Sequence, residues 1–302
     1  MPPVKKNQPA AFYPAKLLLF GEHLLLNGAP ALAAPVPAFS GRWAWGNNLE
    51  SVREKQQRLM EFAGDMTLLS IGGMDTDAFK RDLEQGLFFE SNIPSGYGLG
   101  SSGALCAAIY DRYMALKTND LSDLKSLFAG MENFFHGNSS GIDPLTSYVG
   151  KPLLIRDKTE VSVANEPVWE QAPVVCLIDS GLPRRTGPLV QWFLEQSRQS
   201  DFANLLETSL LPAHAVMLGA WLRAEPGIFW PMLRQVSAFQ FEHFIPMIPA
   251  TLRSLWADCL EKNDLVLKIC GAGGGGFTLG FARNREAVEQ ITDRYPVFYP
   301  FD

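Results

Sequence analysis

Apolar positions along the chain fall into short continuous runs and helix-spaced stripes that alternate from one end to the other. Pro14 to Phe20 reads as a short apolar strand that delivers Gly21, Glu22 and His23 at its end. Ala29 to Trp45 reads as strands joined by proline-containing turns, Val52 to Phe62 as a helix and Thr67 to Ile71 as a strand. Asp75 to Glu84 reads as a helix capped by Asp75. The strand-like run Leu87 to Glu90 feeds a glycine loop that opens into a helix, with Cys106, Ile109, Tyr110, Tyr113 and Leu116 at helical spacing. A second helix from Ser122 carries Leu124, Leu127, Phe128, Met131, Phe134 and Phe135 on its apolar face and ends in a polar turn that closes with Asp143.

From about Lys158 the pattern changes to a second unit. Val174 to Asp179 is an apolar strand, and Pro188 sits in the first turn of the helix that follows. Leu205 to Leu260 is mostly helical, rich in Trp, Phe and Met, and shows no chemistry. Two apolar strands between Leu265 and Leu279 are joined by a loop with glycine at five of the six positions 271–276. Glu286 to Arg294 as helix and Val297 to Tyr299 as strand complete an α+β layer without internal repeats.

Candidate chemistry collects at the ends of these elements. Gly96, Gly98 and Gly100 alternate in the loop before the first long helix. Missing β-carbons and unpaired helical N–H groups there suit a phosphate cradle, with Ser101 and Ser102 at the N-cap available to a backbone N–H, a phosphate or a magnesium ion. A capped turn alone would read the same way. Gly98 to Gly103 matches G-x-G-x-x-G, but the following helix leads to another helix instead of a strand ending in an acidic residue, so it is no dinucleotide fingerprint. A G-x-x-x-x-G-K-[ST] loop is absent.

Glu132 and Asp143 are two carboxylates of the kind magnesium-dependent phosphoryl transfer uses, one for the metal and one for the proton of the attacking hydroxyl. Their sequence separation does not show that they meet. Glu22 and His23 could equally be a surface turn, Lys16 a strand-edge lysine, His136 a structural histidine, and Arg184, Arg185 and Thr186 a solvated basic turn. The glycine run at 271–276 exceeds what a hairpin needs, which implies close backbone approach to a ligand or to another loop.

Composition narrows the class. At 302 residues, 47% apolar and 19% charged, the chain can bury a sizeable core, and its net charge of −6 argues against a general nucleic-acid or anionic-membrane surface. Met1 to Ala10 lacks the basic stub and apolar core of a signal peptide, and Asn27, Gly28, Pro30, Pro35 and Pro37 break the apolar run Leu24 to Phe39, which excludes it as a membrane span. Cys106, Cys176, Cys259 and Cys270 have no C-x-x-C spacing and read as buried free thiols of a reducing, cytoplasmic compartment.

Three stretches in this order resemble the GHMP small-molecule kinases, the family of galactose, homoserine, mevalonate and phosphomevalonate kinases. They are Lys16 to His23 with Gly28, Pro30 and Ala31; Pro94 to Ala104; and Lys268 to Gly276, with the turn His136-Gly137-Asn138-x-Ser140-Gly141-x-Asp143 between the last two. The opening stretch and the spacing of Glu132 and Asp143 are most similar to the mevalonate kinase branch. Gly103 stands where the family usually has alanine, Ser139 where that branch often has proline, and Pro144 where it often has asparagine.

The resemblance implies an α+β GHMP kinase fold. Its parts would be an N-terminal α/β domain of the ribosomal protein S5 domain 2-like type over residues 1–157 and a C-terminal ferredoxin-like domain over 158–302. It implies ATP along Pro94, Gly96, Gly98, Leu99, Gly100, Ser101, Ser102 and Gly103, with Gly273 and Gly274 closing the phosphate site. Mg2+ would sit on Ser102 and Glu132. Asp143, assisted by Lys16, would activate the acceptor hydroxyl, and Glu22, His23, Arg185 and Thr186 would line the substrate side. The implied reaction is ATP- and magnesium-dependent phosphorylation of a small alcohol, first of all mevalonate, for isoprenoid precursor synthesis. Phosphomevalonate, a sugar or another alcohol are the alternatives, as is a nucleotide-binding sensor without turnover. The implied partners are ATP and a small molecule, with no nucleic acid and no membrane; a homodimer is left open.

Overall fold

The computed structural model describes residues 11–46, 49–65, 70–156, 160–184 and 186–302. Most of the strand expected at 67–71 lies outside them, as does Arg185. Two compact units interleave along the chain. The first comprises residues up to Lys16, Phe39–Ile93 and Gly100–Gly150; the second comprises Leu17–Ala38, Pro94–Leu99 and Lys151–Asp302.

Strands β1 (Tyr13–Phe20) and β2 (Ala31–Trp45) each contribute residues to both units. Within the first unit, residues 41–45 of β2 pair antiparallel with β3 (Leu87–Ser91). Within the second, residues 31–33 pair antiparallel with β4 (Leu153–Arg156), which pairs in turn with β5 (Glu160–Val163). The prolines of this region therefore do not break it into separate strands, as their turn propensity had suggested. Pro35 and Pro37 fall between the two paired stretches, where a missing N–H leaves neither ladder short of a donor.

The first unit also holds α1 (Leu49–Ala63), α2 (Thr76–Glu84), α3 (Ser101–Tyr113), α4 (Leu121–His136) and α5 (Ile142–Val149). Asp75 caps α2 by accepting from Ala78 N–H at 2.9 Å, and Asp120 does the same for α4. Small buried residues on α3, Gly103, Ala104, Ala107 and Ala108, let α5 and α4 pack closely on it. Trp43 of β2 meets Phe79, Phe89 and Tyr113 edge-on, which ties the strand pair to α2 and α3.

The second unit contains a four-stranded antiparallel sheet of order β7-β8-β6-β9, from β6 (Val174–Asp179), β7 (Leu265–Ile269), β8 (Phe277–Ala282) and β9 (Val297–Phe298). Helices α6 (Thr186–Gln196), α7 (Ser200–Leu205), α8 (Leu211–Leu222), α9 (Pro226–His243) and α10 (Arg253–Lys262) intervene between β6 and β7, and α11 (Arg285–Thr292) between β8 and β9. This β-α-β-β-α-β order, with β9 beside β6, is the ferredoxin-like arrangement. Every residue of β7 and β8 is buried, which is why both read as mostly apolar runs, interrupted only by the buried Lys268 and Thr278.

By length and composition the stretch Ser200–Leu222 could cross a bilayer; it buries Leu206, Leu210, Ala213, Met217, Leu218 and Ala220 within the unit. Phe20, Trp221, Phe229 and Phe281 form a ring cluster with centroids 5.3–6.2 Å apart. Phe20, Phe229 and Phe281 are fully buried, and each such ring stabilises the fold by roughly 1.5–3 kcal/mol over an exposed one.

Candidate active site

In the first unit the glycine loop turns into α3 at Gly100, whose φ of 70° makes it the N-cap. The cap is therefore Gly100, and Ser101 and Ser102 are the first two helical residues. The left-handed turn into the helix favours a residue without a β-carbon, and the Gly100 carbonyl accepts the Ala104 N–H at 3.0 Å. Freed from capping, the Ser102 hydroxyl donates to Glu132 Oε1 at 2.8 Å.

Glu132 lies in the last turn of α4, 3% exposed, and its Oε2 accepts the Ser139 hydroxyl at 2.5 Å. Asp143 lies in the first turn of α5 and forms an ion pair with Lys16 of β1. Its position depends on Gly103. A β-carbon there would stand 2.7 Å from Asp143 C and Pro144 N, so the glycine admits the start of α5 onto α3. A β-carbon on Gly100 would stand 3.1 Å from Asp143 Oδ2, which places that carboxylate at the mouth of α3. Burial above all, and then the neighbouring Asp143 carboxylate, push the Glu132 carboxyl up to about 7, against the hydrogen bonds from Ser139 and Ser102 and the charge of Lys16. Lys16, Ser102, Glu132 and Asp143, far apart in sequence, thus meet in one cluster.

In the second unit, Glu22 is 4% exposed and its Oε2 pairs with Lys268 Nζ at 2.5 Å. Lys268 also donates to Ile269 O at 3.0 Å, and its Nζ sits 5.9 Å from the centre of the Phe20 ring. The Glu22 carboxylate is thus engaged inside the protein. His23 donates from Nε2 to Ala272 O at 3.1 Å, in the neutral tautomer that leaves Nδ1 as acceptor, and burial lowers its pKa to about 4. Pro94 opens the first half of the glycine loop. Leu99 anchors that half at 1% exposure, and Tyr97 donates to Asp179 Oδ1 at 3.2 Å while its ring packs on Phe277.

The 271–276 loop approaches other backbone. Gly274 N–H donates to Met247 O at 2.6 Å, Gly276 N–H to Leu182 O at 2.7 Å, and Gly273 N–H to Cys270 O at 3.2 Å. A β-carbon on Gly273 would lie 2.5 Å from Met247 O, and one on Gly275 2.6 Å from Pro183 O. Close packing against two protein loops is therefore sufficient reason for these glycines, and the N–H groups of Gly273 and Gly274 are already used.

Arg184 lays its guanidinium on the backbone of both Gly98 and Gly271, where added β-carbons would overlap it, and donates to Cys270 O. Its Nε is buried without a hydrogen-bond partner. Thr186 is the first residue of α6.

Lys268 and His214 had no role assigned from the sequence, and Arg184 was named only together with Arg185. Lys268 is a lysine in the middle of a continuous apolar strand, a pattern that signals a paired buried charge. Arg184 could not be told from Arg185. His214, on a helix that reads as chemically silent, is 1% exposed and bonds Pro30 O through Nε2 at 2.7 Å. All four cysteines are free and buried.

Among the described residues no group of three or more His, Cys, Asp or Glu side chains could hold a metal by itself. Glu132, Asp143 and the Ser102 hydroxyl are hard oxygen donors with an excess of negative charge. That set suits magnesium, which takes its remaining ligands from water and phosphate. The first-unit cluster combines a carboxylate in an ion pair with a lysine and a second carboxylate suited to a cation.

The N terminal domain of the GHMP kinases matches residues 68–151. The mevalonate kinase of Thermococcus onnurineus is 29% identical over 161 residues, 45% of this chain and 48% of that protein, so the chain matches about half the length of that relative. The mevalonate kinase of Pyrococcus horikoshii is 29% identical over 314 residues, 92% of this chain and 90% of that protein. Among solved structures, L. major mevalonate kinase in complex with R-mevalonate superposes with a TM-score of 0.67 at 19% identity, covering 99% of this chain and 98% of that one. Methanococcus jannaschii mevalonate kinase superposes with a TM-score of 0.68 at 15% identity, covering 98% of each. At these identities the structural likenesses establish a shared fold of helices and antiparallel sheets over nearly the whole chain.

Proposed function

Because residues 68–151 match the N terminal domain of the GHMP kinases and the chain shares the fold of solved mevalonate kinases, we propose that it is an ATP- and magnesium-dependent kinase that phosphorylates the primary hydroxyl of mevalonate. The product would be 5-phosphomevalonate, an isoprenoid precursor. The observation that carries the proposal is the juxtaposition of the Lys16–Asp143 ion pair with the Ser102–Glu132 hydrogen bond at the mouth of α3.

Phosphoryl transfer asks a protein mainly for alignment and charge compensation. Asp143 accepts the proton of the acceptor hydroxyl as its oxygen attacks the γ-phosphorus, and ADP carries away the electron pair of the broken bond. Lys16 orients Asp143 through their ion pair. Glu132 and Ser102 would hold Mg2+, which when bound neutralises phosphate charge. Gly100, Ser101, Ser102 and Gly103 at the start of α3 would receive the phosphates of ATP, and Pro94, Gly96, Gly98, Leu99, Gly273 and Gly274 are the further residues proposed to contact the nucleotide. His23, Arg185 and Thr186 serve the substrate side together with Arg184, whose guanidinium suits a carboxylate. Glu22 acts there through its pairing with Lys268. The enzyme would work in the cytoplasm.

The test is magnesium-dependent ADP release with mevalonate, phosphomevalonate, galactose and homoserine offered separately. Turnover with mevalonate alone, reduced about 10²- to 10⁴-fold in Asp143→Ala with ATP affinity retained, is the expected result. Turnover with one of the other alcohols would move the substrate. ATP binding without turnover of any of them would replace the kinase by a nucleotide sensor.

A further inference from the structure

Ser139 stands in the turn between α4 and α5, and its hydroxyl joins two parts of the first-unit cluster. It donates to Glu132 Oε2 at 2.5 Å and accepts the Gly141 N–H at 3.1 Å. Its own N–H donates to Asn133 Oδ1 at 2.7 Å, fastening the turn to the end of α4. Gly141 is the N-cap of α5, with φ of 74°. It sits so close to α4 that a β-carbon would lie 2.8 Å from Ala129 N, so the turn is fitted to α4 on two sides. Asp143 follows two residues later.

We propose that Ser139 is a positioning residue that links the metal-holding carboxylate of Glu132 to the turn that carries Asp143. The two oxygens of Glu132 take hydroxyls from different elements, Ser102 of α3 at Oε1 and Ser139 of the turn at Oε2. A hydroxyl has one proton to give and two lone pairs to offer, so donation to Glu132 is compatible with acceptance from Gly141. The series Gly141 N–H to Ser139 O–H to Glu132 is cooperative, because each bond polarises the next, and its last member is charge-assisted. Removing the hydroxyl leaves a buried carboxylate oxygen with one donor fewer and releases the N-cap of α5 from Glu132.

The inference rests on the reading of Glu132 as a metal-holding residue. The test is calorimetric titration of the whole protein with Mn2+ and a non-hydrolysable ATP analogue, for the wild type, Ser139→Ala and Ser139→Thr, with urea unfolding as the control for folding. Ser139→Ala is expected to weaken metal–nucleotide affinity about tenfold, the value of one hydrogen bond to a charged group. In turnover it should raise the magnesium requirement and leave the KM for the alcohol unchanged at saturating metal. Ser139→Thr, which keeps the hydroxyl, should restore both. Metal–nucleotide affinity of Ser139→Ala within about twofold of wild type, or Ser139→Thr as weak as Ser139→Ala, would overturn the inference alone. Wild-type protein that takes up no metal–nucleotide would overturn both the inference and the reading beneath it.

Discussion

His214 makes the stability of the second unit depend on pH, and the size of the effect follows from its surroundings. The side chain is 1% exposed, bonded through Nε2 to Pro30 O, and burial lowers its pKa to about 4. In the unfolded chain it titrates near the ordinary histidine value of about 6.5. The unfolded state therefore binds more protons below that value, and the contribution of neutral His214 is complete above about pH 6.5 and lost as pH falls toward 4. The full difference is worth about 3 kcal/mol, of which about 2 kcal/mol is gone by about pH 5.

Two other groups shift in the same range. His23, also lowered to about 4 by burial, adds a loss of the same sign. Glu132, raised to about 7, gains stability as pH falls from 7 toward its ordinary value. A single acid titration would mix all three, so the measurement is a double difference. Urea unfolding of wild type and His214→Gln is compared at about pH 7.5 and about pH 5; the glutamine amide can still donate to Pro30 O, and the other two groups cancel. Wild type should lose about 2 kcal/mol more than His214→Gln on acidification. A double difference below about 0.5 kcal/mol would refute the assignment of His214 as a buried neutral histidine.

Two further predictions concern packing. Gly103→Ala puts a methyl group 2.7 Å from the Asp143–Pro144 backbone, so it should cost about 1–3 kcal/mol in urea unfolding and lower kcat by displacing Asp143. Unchanged stability and turnover would show that α5 moves aside freely. Lys268→Met leaves Glu22 buried without its cation and should cost about 3–5 kcal/mol, and Lys268→Met with Glu22→Gln should recover part of that loss. A double variant no more stable than the single one would argue against the buried ion pair as the cause.

Local pattern sufficed where one element's own chemistry decides its form. Val174–Asp179 and Leu265–Ile269 read as strands because burial of both faces makes them nearly continuous apolar runs, with Lys268 the one charge inside the second. Asp75 announced the start of α2 because a carboxylate accepting an early helical N–H is a short-range matter. The resemblance carried by Lys16 to His23, Pro94 to Ala104 and Lys268 to Gly276 likewise needed only order and spacing, and it reached the fold and the family whose N terminal domain matches residues 68–151.

What the tertiary structure alone decided are the choices between local options of similar merit. Gly100 took the N-cap from Ser101 and Ser102, because a left-handed entry into α3 is needed and Ser102 is drawn to Glu132. The prolines of β2 remained inside one strand because its partners pair on either side of them. The glycines at 271–276 could have faced a ligand or a loop, and the hydrogen bonds that Gly276 and Gly274 donate to Leu182 O and Met247 O show that they pack on loops. The meetings of Glu22 with Lys268 and of Asp143 with Lys16 join residues more than a hundred positions apart. Spacing along the chain contains no such information, because these pairs form only when packing brings distant elements together.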